Sequence, residues 1–318
     1  MKPLLHEKRI LVAGARGMIG TAIVKRLKAA GCHTLFTPTR TELDLSKPDH
    51  VRHWFERHSP DVVVVAAAKI GSNLSNCTAP ADYLSENMAI ALNTIEGARQ
   101  AKTPRLLFIG SSCVYPQNAP SPLREDALLA GPLEPSTEAY AVAKIAGMKF
   151  CQACRRQHGF TYHSLIPSNL YGPGDDYHHE NSHVLPALIR RFHDAVKGRA
   201  ETATCWGTGA PRREFLHIDD LAEAVWHVLS LEYPLDWYNV GSGEDLTIGE
   251  LADRIASTTG FKGKVLWDHT KPDGPPRKTL DASALRATGW APQVPLGRGL
   301  EDAYADFVKQ LASGTLRA

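Results

Sequence analysis

Tyr140 and Lys144 stand four residues apart in YAVAK, a spacing that stacks both on one face of a helix. An ammonium beside a phenol stabilises the phenolate and lowers the phenol pKa. Such a tyrosine can exchange a proton with a carbonyl oxygen while a nicotinamide exchanges hydride with the carbon. A surface lysine beside a core tyrosine would show the same spacing by chance. Two other stretches argue against chance. One is GSSCVYP, Gly110–Pro116, where Ser111, Ser112 and Cys113 crowd the end of the apolar run RLLFIG. The other is a glycine-rich turn near the amino terminus. Cys113 by itself reads as a small buried hydrophobe.

The turn, GARGMIG, places Gly14, Gly17 and Gly20 between an apolar run and a helix-like one. Glycines at this G-x-x-G-x-x-G spacing let the backbone turn tightly and approach a pyrophosphate. The helix that follows aims N–H groups and a positive dipole end at the same place. Dinucleotide-binding folds that select NAD end their second strand with an acid for the ribose 2′-OH. Here that run ends FTPTR, with no acid before Arg40, and Arg16 lies inside the glycine loop. Two guanidinium groups can clamp a 2′-phosphate through charge-assisted bonds, so the expected cofactor is NADP(H). Two solvated surface arginines are the structural alternative.

These groups need a scaffold, and the hydrophobic pattern supplies one. RILVAG, HTLFTPT, DVVVVAAA, RLLFIG and TYHSLIP read as strands, and MIGTAIVKRLKAAG, PDHVRHWFERH, NMAIALNTIEGARQA and the Tyr140–Lys144 segment read as the helices between them. The alternation predicts an α/β fold with a doubly wound, parallel Rossmann sheet, and continuously apolar strands fit a sheet covered on both faces. After NLYGPGDD the rhythm changes. HVLPALIRRFHDAVKG, IDDLAEAVWHVLS and TIGELADRIASTTG read as helices, WYNVGS as a strand returning to the main sheet, and KVLWD as a further strand before the loop KPDGPP. The expected division is a nucleotide-binding domain over 1–172, rejoined by about 214–242, and a smaller C-terminal α/β substrate lobe over 173–213 and 243–318. The tandem acids Asp219 and Asp220 read as a helix N-cap without chemistry.

Composition narrows the partners. The 318 residues carry a net charge of +2, spread along the chain, which argues against nucleic acid or membrane as the main partner. The six cysteines are irregularly spaced in a long chain, so a disulfide framework is not expected. Cys151 and Cys154 form a C-x-x-C inside a helical stretch, and no second pair completes a zinc site. His178, His179 and His183 in HHENSH likewise lack a completing ligand set, and no metal is expected. MKPLLHEKRILVAGARG has no apolar signal core, and the longest apolar run, Val62–Ala68, falls far short of the roughly 20 residues a spanning helix needs. The protein reads as cytoplasmic.

AGARGMIG, AAAKIGSN, GSSCVYP, LEPSTEAYAVAKIAG, SNLYGPGDDYHHENSHVLPALIRRFH, WGTGAPRREFLHIDD and KPDGPPRK together resemble the extended short-chain dehydrogenase/reductase superfamily. More narrowly they look like its GDP-L-fucose synthase family, the 3,5-epimerase/4-reductases of GDP-4-keto-6-deoxy-D-mannose. The resemblance covers nearly the whole chain. Ser168 stands where Thr is usual before NLYGP, and Ala139 precedes Tyr140 where Pro is common; neither change removes a reacting group.

The resemblance implies an NADPH-dependent enzyme that inverts C3 and C5 beside a C4 ketone and then reduces the ketone. It implies that Cys113 and His183 exchange the sugar protons, a task suited to groups that ordinarily titrate near ~8.5 and ~6.5. Tyr140 and Ser111 would stabilise the oxyanion, and Lys144 would tune Tyr140 and hold the nicotinamide ribose. Gly14, Arg16, Gly17, Met18, Ile19, Gly20, Arg40, Ala67, Pro167, Asn169, Leu170 and His183 would lie beside the cofactor. Asn169, Arg191, Trp206, Arg213 and Asp273 would bind the GDP-sugar: the arginines its diphosphate, Trp206 a base or sugar, Asp273 guanine N–H groups. For the arginines a solvated helix face is the structural alternative. Similar enzymes form homodimers through helices of the nucleotide domain.

Other readings share the fold. A 4,6-dehydratase should carry Asp-Glu where this chain has SSCV. A silent NADP sensor should have lost Tyr140 or Lys144. A plain 4-reductase, or an epimerase/reductase acting on another GDP-sugar such as a dideoxyhexose or heptose, remains open, because one hydroxyl changes few contacts.

Overall fold

The computed structural model describes residues 5–71, 73–179, 181–271 and 273–316. Ser72, Glu180 and Pro272, which belong to three of the quoted motifs, lie outside the described residues, as do the first four residues of the stretch read as lacking a signal core. The first half of the chain forms β1 (Ile10–Ala13), α1 (Met18–Ala29), β2 (Leu35–Phe36), α2 (Pro48–His58), β3 (Val62–Val65), α3 (Asn73–Thr78), α4 (Pro80–Gln100), β4 (Arg105–Ile109), α5 (Glu138–His158) and β5 (Thr161–Pro167). The second half forms β6 (Asn169–Tyr171), α6 (Val184–Lys197), β7 (Thr202–Trp206), β8 (Arg212–His217), α7 (Ile218–Leu229), β9 (Trp237–Val240), β10 (Asp245–Thr247), α8 (Ile248–Thr259), β11 (Lys264–Asp268), β12 (Arg277–Lys278), α9 (Ser283–Arg286) and α10 (Leu296–Ser313).

Six parallel strands make the main sheet in the order β2-β1-β3-β4-β5-β9. Successive strand residues face opposite sides, and both sides are covered. Val12, Val64, Leu107 and Ile109 pack with Ile23 and Leu27 of α1 and Leu221 and Val225 of α7. Leu11, Val63, Val65 and Phe108 pack with Phe55 of α2, Ile95 of α4 and Met148 of α5. The strand order reverses between β1 and β3, which opens a crevice at the carboxyl ends of those strands. The glycine loop follows β1 and GSSC follows β4, so both reach the same rim.

The second lobe is built on β8, which has β6 and β12 parallel along one edge and β10 antiparallel along the other. A separate parallel pair, β7 and β11, lies beside it. Its own core contains Tyr171, Tyr177, Phe192, Ile255 and Phe307. β9 returns to the main sheet, pairing with β5, and α7 packs on the main sheet, whereas β8 belongs to the small sheet.

Local departures have physical causes. HTLFTPT contracts to Leu35–Phe36, half-buried residues on an edge strand with one neighbour to pair with. α4 starts ahead of NMAIAL because Pro80 is tolerated in a first helical turn. The cap of α7 is His217, not the tandem acids: its side chain accepts from the Asp219 N–H at 3.3 Å. Asp219 and Asp220 occupy the first helical turn, where a negative charge suits the dipole. Asp219 pairs with Lys25 at 2.9 Å, and buried Asp220 accepts from the Gln293 and Val294 N–H groups at 2.7 and 3.1 Å.

Candidate active site

The three glycines of the first turn have different duties. Gly14 has φ +84°, and a Cβ there would lie 2.6 Å from the Ala67 nitrogen, so the loop after β1 rests directly on the end of β3. A Cβ on Gly20 would lie 2.1 Å from the Gly14 oxygen, so α1 docks against the loop. A Cβ on Gly17 would meet only the Gly14 oxygen at 3.6 Å. Protein packing does not demand a glycine there, and the space above it is left for a ligand. Gly17 is the N-cap of α1 and supplies no side-chain cap, so the first-turn N–H groups at Met18 and Ile19 lack an intrahelical acceptor. This cradle fits a dinucleotide pyrophosphate.

Beside it Ala15, Arg16, Thr21, Val24, Thr37 and Thr39 line a cavity of about 270 Å³. Arg16 therefore lines this pocket, beside the glycine cradle. Thr37 and Thr39, unassigned in the sequence reading, add hydroxyls; the polar TPT of FTPTR was their only signal. Arg40 is not among the lining residues. Its exposed guanidinium pairs with Glu86 at 3.4 Å and Asp44 at 4.0 Å. Ala67 follows β3, Pro167 ends β5, and half-buried Leu170 of β6 packs on the core beneath the rim.

At the end of β4, Ser111 begins a single 3-10 turn, Ser112–Val114. The Ser111 hydroxyl oxygen accepts from the Cys113 N–H at 3.5 Å and from its thiol at 3.2 Å. α5 lays Tyr140 and Lys144 alongside this turn. The Lys144 ammonium donates to the Ile109 carbonyl at 2.8 Å and lies 5.6 Å from the Tyr140 ring centre. Burial pulls Lys144 down to about 8, opposed by the Cys113 charge. Burial pushes Tyr140 up, and the Cys113 charge adds to the rise. The phenol is thus a proton donor in the free protein. The lowered pKa expected from the Tyr-Lys spacing does not occur, because desolvation of the phenolate outweighs an ammonium already bonded to a carbonyl.

Burial also raises the Cys113 thiol; Lys278, the Ser111 hydrogen bond and Lys144 pull it back. His183, the N-cap of α6, is lowered by burial against the opposing charge of Asp176, with Lys278 lowering it further. Cys113, Tyr140, His183 and Lys278 are electrostatic neighbours: Lys278 is felt by Cys113 and His183, and Cys113 by Tyr140. Cys113 is buried, Tyr140 and Lys278 are half-buried and His183 is exposed, so the group they form is a cleft open on one side. Lys278 carried no role in the sequence reading; its only signal was the cation after PPR.

The C-terminal lobe carries the residues expected to hold the GDP-sugar. Trp206 at the end of β7 is 47% exposed, with the Arg191 guanidinium 5.6 Å and the Lys271 ammonium 5.1 Å from its ring. Arg213 of β8 donates to the Arg212 and Pro275 carbonyls at 2.8 and 2.6 Å, and burial lowers its pKa against the opposing charge of Asp273. Asp273 itself accepts from the Thr208 N–H at 3.0 Å and hydroxyl at 2.6 Å. Its first partner is thus Thr208, with lone pairs left for a ligand. Asn169 donates to the Glu214 carbonyl at 2.7 Å, joining β6 to β8. Among the described residues no three His, Cys, Asp or Glu side chains converge as a metal site, and no helix is long and apolar enough to cross a membrane. Cys151 and Cys154 are buried on α5.

Residues 10–241 match the NAD dependent epimerase/dehydratase family. The chain is 49% identical over 306 residues to the "Probable GDP-L-fucose synthase 1" of Oryza sativa subsp. japonica, covering 96% of this chain and 93% of that one. It is 46% identical over 314 residues to the GDP-L-fucose synthase of Escherichia coli strain K12, covering 96% and 98%. Among solved structures, a GDP-mannoheptose C4 reductase from Campylobacter jejuni with NADP bound superposes with a TM-score of 0.86 at 30% identity, covering 96% of this chain and all (100%) of that one.

Proposed function

The chain belongs to the NAD dependent epimerase/dehydratase family, and we propose that it converts GDP-4-keto-6-deoxy-D-mannose to GDP-L-fucose, inverting C3 and C5 and then reducing C4. One observation carries the reading beyond a plain reductase: the Cys113 thiol bonds Ser111 at 3.2 Å in the cleft that holds Tyr140. Ketone reduction has no use for a thiol there, whereas inversion next to a ketone needs one group to remove a proton and another to return it. Full-length relatives named GDP-L-fucose synthase support the same substrate.

NADPH, when bound, supplies hydride to the C4 carbonyl carbon and leaves as NADP⁺. The protein holds it on the glycine cradle, with Met18, Ile19, Ala67, Pro167 and Leu170 beside it. Arg16 meets the 2′-phosphate, and Arg40, itself exposed, reaches it by leaving its half-buried carboxylate partners. Lys144 binds the nicotinamide ribose. Cys113 and His183 take and give protons at C3 and C5. Tyr140 and Ser111 hydrogen-bond the C4 oxygen while negative charge develops on it, and Tyr140 gives that oxygen its proton after reduction. Arg191 and Arg213 hold the diphosphate, Trp206 stacks, Asp273 accepts from guanine, and Asn169 sits between cofactor and sugar.

The same reading gives the nucleotide to residues 1–172, rejoined near 214–242, and the GDP-sugar to 173–213 and 243–318. Met88 and Leu92 on α4 and Val142 on α5 are exposed apolar side chains on two packed helices, which supports a homodimer through them. A monomeric mass in solution would exclude it. Six free cysteines suit a reducing compartment, the cytoplasm; recovery from an oxidising compartment would overturn that placement.

The heptose reductase with NADP bound favours a second reading, reduction of another GDP-4-keto sugar. Incubation with NADPH and a panel of GDP- and dTDP-4-keto-6-deoxy sugars, with products identified by NMR, separates the two. GDP-L-fucose from the mannose-derived ketone is the expected product. A reduced sugar with the original C3 and C5 configuration would leave only the reductase.

A further inference from the structure

β12 is two residues long, and the chain on both sides of it is tied down. Arg277 donates to Asp245 at 2.5 Å, and Thr279 donates to Asp245 at 2.6 Å. Arg212, register partner of Arg277, donates to Asp245 at 2.8 Å. On one face of the β8–β12 pair two guanidinium groups and a hydroxyl therefore converge on a single carboxylate. Strand alternation sends the other register pair, Lys278 and Arg213, to the opposite face, toward the cleft. Beyond β12 the chain crosses to the nucleotide domain. The Leu123 N–H donates to the Thr279 carbonyl at 2.8 Å, and the Asp281 N–H donates to the Leu123 carbonyl at 2.9 Å. Leu123 lies on the segment that follows GSSCVYP. The clamp thus ties the end of β12 to the nucleotide domain, and the charge of Lys278 is felt at Cys113.

Among the described residues the Lys278 ammonium has no hydrogen bond or salt bridge. The groups that feel it are Cys113, Arg213, Glu134 and His183. Those facing Cys113 are Lys278, Ser111, Lys144 and Tyr140. Of its neighbours Lys278 offsets the burial of the thiol most, ahead of Ser111 and Lys144.

We propose that Lys278 is a positioning residue of the proton-exchange step, its ammonium delivered by β12 to the cleft to ease the ionisation of Cys113 as it removes a sugar proton. This rests on the function proposed above. The competing role for an unpaired cation beside Arg213 is a third ligand of the diphosphate.

The thiol can be read in the free protein, without substrate. On a Cys77→Ser background, which removes the exposed cysteine, iodoacetamide alkylation of Cys113 is followed against pH and located by mass spectrometry. Lys278→Met raises the midpoint by about one unit, slowing alkylation at neutral pH by about tenfold. Lys278→Arg restores the profile, and Lys278→Gln serves if the Met variant does not fold. Deuterium exchange into the keto sugar falls by the same factor. An unshifted midpoint in a variant that folds and binds NADPH normally overturns the proposal. A raised KM for the GDP-sugar with an unshifted midpoint assigns Lys278 to the diphosphate instead. If the sugar panel yields no epimerised product, the thiol profile still reads Lys278, so the two failures are separate.

Discussion

The Lys144 ammonium donates to the carbonyl of Ile109, the last residue of β4, while standing 5.6 Å from the centre of the Tyr140 ring. The strand that ends in the serine-thiol turn thus also holds the lysine that faces the tyrosine. Any help that Lys144 gives Tyr140 needs its charge, which lasts only while the lysine is protonated. Burial brings Lys144 to about 8, so the charge is present below that pH and lost above it. Hydride transfer to the C4 ketone should fall as pH rises through about 8. Lys144→Arg should move that alkaline limb upward. Tyr140→Phe should slow reduction by ~10²–10⁴-fold with thermal stability retained. Stopped-flow consumption of NADPH checks all three; a near-normal rate in Tyr140→Phe removes it as the acid.

Proton exchange and hydride transfer should come apart at Cys113. With NADP⁺ bound in place of NADPH, Cys113→Ser should sharply slow deuterium incorporation into the keto sugar while both ligands still bind. Serine is nearly isosteric but far less acidic, so the loss reports proton transfer rather than packing. His183→Gln should impair epimerisation by blocking proton delivery. NMR follows both carbons, and unchanged incorporation in Cys113→Ser would return the protein to a plain reductase.

Cofactor choice should depend more on Arg16 than on Arg40. Arg16 lines the pocket beside the glycine cradle, whereas Arg40 is held by Glu86 and Asp44. A charge-assisted bond contributes about 1.5–3 kcal/mol, so Arg16→Ala should raise the NADPH KM by roughly 10–100-fold with little effect on NADH. Arg40→Ala should act in the same direction by less. Steady-state kinetics with both cofactors decides it, and equal use of NADPH and NADH by the unchanged protein would defeat the 2′-phosphate assignment.

Acid should destabilise the fold through His163. This residue is fully buried in β5, and burial pulls its imidazole down to about 3. Below the ordinary histidine pKa the unfolded chain takes up a proton that the folded one refuses, so stability falls as pH drops. Between pH 6.5 and 5 the loss is ~2 kcal/mol. His163→Phe should flatten that dependence in denaturant titrations at the two pH values. An unchanged slope would show that other groups control acid sensitivity.

The chemistry of this protein was largely legible in the linear sequence. The glycine spacing, Tyr140 and Lys144 at one helical turn, and the buried runs of β1, β3 and β4 are local patterns, and local patterns follow from backbone geometry and burial. Arg16 and Cys113 were visible because each stands within such a pattern. What only the tertiary structure decided depends on contacts between distant segments. Lys278 joins the cleft because β12 pairs with β8 and the chain after it clamps Leu123, more than 150 residues away in sequence. β8 lies in the small sheet rather than the main one because register is chosen by partners that its own residues do not name. The phenol pKa rises instead of falling because desolvation, a property of everything packed around Tyr140, outweighs the one neighbour its spacing could reveal.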